Sequence, residues 1–269
     1  MPRKVGPIQN ETSLTLLDPY ERKARLTPGL LAFAPIAFAI ATLGFKKFPA
    51  VAIAVGVLSA AGGGYALSVI VGNFGRRAQT RLWSTWGGAP TTRLLRNRDT
   101  TVSAVQKDVW RKPIEVVTGV ALLSATAEAK DPTLADDTIR AAVDQMRLLG
   151  QDARFPLVKT ENIQYGYERN LYGFRWIGRA ISIACIAVLV LTVLTTMPSS
   201  HAFSHGALIS GAAIDAILLL AWVLVPSSSR TKEAGERYAQ QLFQAVVSLS
   251  RQTGSADGAA AGPSGSTAP

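Results

Sequence analysis

Residues 177–197 read IGRAISIACIAVLVLTVLTTM, a run whose one charge is Arg179 near its start. About 20 residues of helix cross the roughly 30 Å of hydrocarbon in a bilayer. A surface helix of a soluble protein would carry a polar stripe, and this run has none. It therefore reads as a transmembrane helix, and that reading decides the fold class. Three more stretches share the property: 26–45 (LTPGLLAFAPIAFAIATLGF), 48–74, and 207–226 (ALISGAAIDAILLLAWVLVP). The first is not read as a signal peptide, because a charged leader precedes it and no small-residue cleavage site follows.

The expected fold is an all-α integral membrane protein, with four transmembrane helices in two hairpins, 26–74 and 177–226. A cytoplasmic helical domain, 75–176, is inserted between them. A cytoplasmic leader, 1–25, precedes the first hairpin, and an amphipathic cytoplasmic helix, 227–252, and a disordered tail, 253–269, follow the second. Composition agrees: of 269 residues 48% are hydrophobic and 17% charged, against about 25% charged in ordinary globular chains. The single cysteine, Cys185, excludes an internal disulfide.

The net charge of +10 has an address. Of the 28 Lys and Arg, 5 lie in the leader, 16 in the middle segment and 4 after Pro226, while the loop 198–206 has none. Basic residues mark the cytoplasmic side. Both termini and the middle segment are then cytoplasmic, with Lys46, Lys47 and the loop 198–206 outside. The excess charge reads as topology, and no motif points to nucleic acid.

Along the second span Ala52, Gly56, Ala60, Gly64, Ser68 and Gly72 recur every fourth residue. Such a face lets another helix approach closely. It suits packing within the hairpin or between protomers, with the lining of a narrow pore as the other reading. Residues 76–86 are expected to continue this span until Gly87-Gly88-Ala89-Pro90 breaks it. A helix over 102–117 contains Pro113. Asp131-Pro132 is an N-cap followed by proline at the first helical position; Ile139, Val143, Met146 and Leu149 share a face behind it, and Gly150 closes it. Residues 161–176 should run straight into the third span, with Gly166 and Gly173 open to a close neighbour. Tyr238, Leu242, Ala245 and Leu249 form a seam suited to the middle domain or to a second copy.

Several groups are candidates for chemistry. The loop WGGAPTTRLLRNRD, residues 86–99, offers Thr91, Thr92, Arg93, Arg96 and Arg98 to an anion, a lipid head group or a nucleotide. It lacks the spacing of a phosphate-cradling Walker loop, and its other reading is a structural loop with topological charge. Asp215 is the one acid inside a predicted span, where a carboxyl is expensive unless protonated, paired or hydrated. It reads either as part of a proton or ion path or as a hydrogen-bonded carboxyl, with Ser210, Thr192, Thr195 and Thr196 as candidate partners. Glu161, Asn162, Tyr165, Arg169 and Tyr172 form a polar and aromatic stripe where the third span leaves the membrane. Its bland reading is an interfacial belt with intrahelical pairs, Glu161 with Tyr165 and Glu168 with Tyr172. His201 and His205 have no accompanying ligands, so no metal site, cofactor or catalytic set is expected.

Three blocks carry a resemblance: LLDPYERKARLTPGLL (16–31), RLWSTWGGAPTTRLLRNRD (81–99) and DARFPLVKTENIQYGYERNLYGFR (152–175). Together they resemble a group of uncharacterised bacterial four-span integral membrane proteins with the same blocks in the same order. More remotely, the layout resembles the small four-span membrane effectors of bacterial nucleotide-signalled defence systems, though without a recognisable cyclic-nucleotide domain. The resemblance implies the bacterial inner membrane. The expected function is non-enzymatic: a self-associating effector or channel-like protein controlled by its cytoplasmic domain, with a scaffold recruiting a cytosolic partner as the alternative. Expected partners are the lipid bilayer, a second copy, and a cytosolic protein or anionic small ligand, with no nucleic acid.

Overall fold

The computed structural model describes residues 18–44, 53, 57, 62–149, 152–196 and 204–260, and all regular structure among them is helical. Helix α1 (Thr27–Leu43) is entered through a π-helical turn, Glu21–Leu26. Then come α2 (Gly63–Trp86), the single turn α3 (Pro90–Arg93), α4 (Ala104–Thr118) and α5 (Ala125–Lys130). Helices α6 (Pro132–Leu149), α7 (Pro156–Thr195), α8 (His205–Leu224) and α9 (Ser228–Ala260) complete the chain.

Among the described residues, three helices are long and apolar enough to cross a membrane: Glu21–Leu43, Pro156–Thr195 and His205–Leu224. Their outward faces carry bare apolar side chains, among them Leu191, Leu194, Ile217 and Leu224, each at least 61% exposed. Surfaces of that kind suit lipid, not water. The expected second span, 48–74, is described only at Ile53, Val57 and from Gly62 onward, so Ala52, Gly56 and Ala60 lie outside the described residues.

Helix α7 organises everything else. Its 40 residues make a rod about 60 Å long, and it contributes to three apolar clusters in succession. Val158 joins the basal core, where α9 lays Leu242, Phe243 and Val246 against Trp110, Ile114 and Met146. Leu171 and Phe174 meet Ala32, Val71 and Trp222 higher up. Leu189 meets Ala39 and Leu208 near the far end. Helix α1 runs in the same direction as α7, from Tyr20 beside Gly166 to the Leu189 cluster. Helices α2, α8 and α9 run against it, so α8 and α9 descend the length of α7 with only Pro226 breaking them apart.

Gly173 explains one close crossing. A Cβ there would lie 2.7 Å from the Phe74 carbonyl oxygen and 2.9 Å from the Gly75 Cα, so α2 and α7 touch backbone to backbone. On α2 the described part of the small-residue face is spent within the chain: Ser68 is fully buried, and Gly72 faces the Arg25 side chain. These two positions are used for packing within the chain.

Local signals behave as their chemistry dictates. Asp131 Oδ1 accepts from the Leu134 amide at 2.9 Å, and Ile139, Val143 and Met146 behind it are at most 2% exposed. Gly87 (φ 78°) and Gly88 (φ 135°) take the left-handed backbone that ends α2. As expected, α2 and α7 run without a break through 74/75 and 176/177. The expected division of the chain differs from the structure in one place. Helix α9 continues to Ala260, into the stretch read as a disordered tail. Leu242 and Ala245 of its seam are buried in the basal core and Tyr238 packs against it, so the seam lies on the middle domain.

Candidate functional site

Arg93, Arg96 and Arg98 fold inward. Arg93 pairs with Glu236 of α9 and lies 3.5 Å from Asp99. Arg96 grips Asp136 with two parallel hydrogen bonds of 2.7 Å. Arg98 bonds Glu128 at 2.9 Å and Asp136 at 2.8 Å. Thr91 and Thr92 are buried at 4% and 3% exposure. The donors that the sequence offers to an anion are therefore engaged by carboxylates of the chain itself, and the loop ties α6 and α9 to the end of α2. Those carboxylates are spread over residues 99 to 236, so no local spacing announced them.

The juxtamembrane stripe is also rearranged. Glu161 turns to Arg237 of α9 at 3.5 Å, and Glu168 to Arg230 at 3.2 Å. The expected intrahelical pairs with Tyr165 and Tyr172 are replaced by ties between helices. Tyr172 instead receives the Arg175 guanidinium over its ring at 3.6 Å. Arg179 donates to the carbonyls of Trp222 and Val223 at 3.1 and 3.3 Å, placing a cation on the free C-terminal carbonyls of α8.

The rest of the stripe lines a hollow of about 410 Å³, with Asn162, Tyr165 and Arg169 from α7, Gln79 and Trp83 from α2, and Tyr238 from α9. The rings of Tyr165 and Tyr238 lie parallel within 3°, 6.4 Å apart. Trp83 Nε1 donates to the Tyr165 hydroxyl at 3.1 Å. Arg169 bonds Gln79 Oε1 at 2.7 Å and sits over the Tyr165 ring at 5.9 Å. Arg147 of α6 reaches the same wall, and with Trp83 it also lines a neighbouring hollow of about 540 Å³ that takes in Thr92, Arg96 and the Gly87-Gly88 turn. The loop and the stripe thus line two neighbouring hollows that share Trp83 and Arg147 as walls. Burial pushes the Tyr238 phenol above its ordinary value, with the Arg147 charge pulling the other way. At neutral pH it remains a hydrogen-bond donor. Tyr238 and Arg147 had no signal in the sequence beyond an apolar seam and a helix surface.

Asp215 sits midway along α8 at 0% exposure, and neither carboxyl oxygen has a hydrogen-bond partner among the described residues. The hydroxyls expected to serve it are spent elsewhere: Thr192, Thr195 and Thr196 donate back to carbonyls of their own helix, and Ser210 is exposed. His205 meets the Thr196 carbonyl at 3.2 Å, and His201 lies outside the described residues. Among the described residues, no three His, Cys, Asp or Glu are grouped to hold a metal.

Comparison with protein-family models, with curated proteins and with solved structures returns no match for this chain.

Proposed function

We propose that this chain is a non-enzymatic, multi-pass protein of the bacterial inner membrane, an effector or channel-like protein whose cytoplasmic domain controls its membrane bundle. The observation that carries this reading is α7, one unbroken helix packed into the basal core at Val158 and into the bundle at Leu189. A rigid helix shared by two cores transmits displacement of one to the other. Residues 48–74 supply the fourth span in this reading. The orientation, with both termini cytoplasmic, is supported by Tyr20 and Thr231 both meeting α7 close to Gly166 and Glu168, on the side of the basal core. Self-association is supported by the filled interior of a single bundle, where Ala32, Ala39, Leu189 and Leu208 are buried; a conducting path then needs several copies.

Asp215 fits an effector better than a scaffold, because a carboxyl with no partner among the described residues is costly in a purely structural bundle. The scaffold alternative is weakened, since Ile139, Val143 and Met146 of α6 and Leu242 and Ala245 of α9, from the two faces that motivated it, are buried in the basal core. Reconstitution of the purified full chain in liposomes tests the reading. Dissipation of an imposed potential is expected, abolished or altered by Asp215→Asn. Intact potential at every protein density sinks it.

A further inference from the structure

We propose that the hollow floored by Tyr165 and Tyr238 is a binding site for a phosphate ester, whose anionic group is held by Arg147 and Arg169. This deepens the reading above by naming the chemistry to which the cytoplasmic domain responds. The argument is an inventory of donors and charge. Arg169 spends its guanidinium on neutral acceptors, Gln79 Oε1 at 2.7 Å and the single Asn170 Oδ1 at 3.3 Å. No carboxylate pairs with it among the described residues. Arg147, from a different helix, reaches Tyr238, and its one acid among the described residues is Asp144, in a solvent-exposed pair of 2.8 Å. The Tyr165 hydroxyl accepts from Trp83 and keeps its own proton to give. Tyr238 stays a protonated phenol.

The lining of this hollow therefore holds two permanent positive charges, two phenolic donors and no carboxylate. A cation is repelled there, and a neutral ligand leaves the Arg169 guanidinium without counter-charge. A tetrahedral anion with several oxygens can meet a planar fork from each of two helices. The adjoining hollow of about 540 Å³ has room for the remainder of the ester. Arg169 thus differs from the arginines of the loop 93–98, each of which already has its acid. The phosphate ester can be a lipid head group, since α2 and α7 both enter the bilayer from here, or a soluble phosphorylated compound.

Thermal unfolding of the purified full chain in detergent, followed by circular dichroism, tests the site, because a ligand that binds the folded state raises its melting temperature. One arm titrates inorganic phosphate against chloride at equal ionic strength. The other compares phosphatidylcholine vesicles with and without phosphatidic acid. Saturable stabilisation is expected in the first arm for a soluble source or only in the second for a lipid source. Arg147→Gln should weaken it about tenfold or more. Arg169→Lys, which keeps the charge and loses the fork, should weaken it too, while Arg154→Gln, at an exposed pair elsewhere, should not.

No saturable response to either probe overturns the site, as does an equal response to chloride or an equal effect of Arg147→Gln and Arg154→Gln. A chain that binds phosphate and passes no current keeps the site and loses the effector reading. One that passes current without answering either probe does the reverse.

Discussion

Two buried carboxylates are treated in opposite ways. Glu128, 2% exposed, accepts from the Asn97 amide and side chain, each at 2.8 Å, and from the Arg98 amide at 3.2 Å and guanidinium at 2.9 Å. Burial alone would push its carboxyl up, but these bonds outweigh it and hold the group below the ordinary value. Asp136 and Asp99 follow the same logic, burial being overcome by Arg96 and Arg98 in one case and by Thr101 in the other. Groups depressed in the folded state stabilise it fully above their unfolded value, about pH 4, and that contribution is lost as pH falls through the folded value. Melting temperature in detergent should be level from about pH 7 to about pH 5 and fall steeply towards about pH 3; a flat profile contradicts the network. Glu128→Gln, which strips the knot of its charge, should cost about 1–3 kcal/mol in chemical denaturation. Among the described residues nothing donates to Asp215. Asp215→Leu is expected to stabilise the chain by about 1–3 kcal/mol, and a fall in melting temperature would mean that the carboxyl has a partner after all.

At the scale of elements, helix crossings are decided by which positions lack a side chain. Gly173 and Gly64 look alike in the sequence, each a small residue at a regular interval. Gly173 has backbone of α2 within 3 Å of where a Cβ would go, whereas Gly64 would meet only Leu26 Cδ1 at 3.9 Å, an ordinary contact. Gly173→Ala must therefore prise α2 from α7 and should cost about 1–3 kcal/mol. Gly64→Ala should stay within about 0.5 kcal/mol of the parent or gain slightly from helix propensity. Parallel unfolding curves of the two variants check the pair, and equal losses would place the close crossing elsewhere. The same comparison shows what periodicity leaves open. It marks where a helix can be approached, while the neighbour's own path decides which of those positions is used.

For the whole molecule, helical class, the long apolar helices over 177–195 and 207–224, the Asp131 cap and the unbroken run of 161–176 into the first of them were legible because each rests on local chemistry: apolar length, a capping oxygen, the absence of breakers. The hollow was half legible. Tyr165 and Arg169 stood out as a stripe, but Arg147 and Tyr238 reach it from helices that only the tertiary fold brings near, and the acids that absorb Arg93, Arg96 and Arg98 are up to 143 residues away. Long-range pairing of charge has no period to read. Topology lies between these cases, since it follows from charge counts on segments whose arrangement is a property of the whole chain. Basic residues cluster at the end of α7 that holds the basal core, and Ser204 and Gln252 lie at opposite ends of the α8 and α9 pair, both exposed. In a Cys185→Ser background, Ser204→Cys should react with a membrane-impermeant maleimide in intact spheroplasts, and Gln252→Cys only after the membrane is opened. Moving Ser204 costs little, because its hydroxyl makes one long capping bond of 3.4 Å to the Ala207 amide. The reverse labelling pattern would invert the orientation and put the basal core outside; labelling of both sites in intact spheroplasts would mean that α8 does not cross, and the bare apolar faces of Ile217 and Leu224 would then need a protein partner in place of lipid.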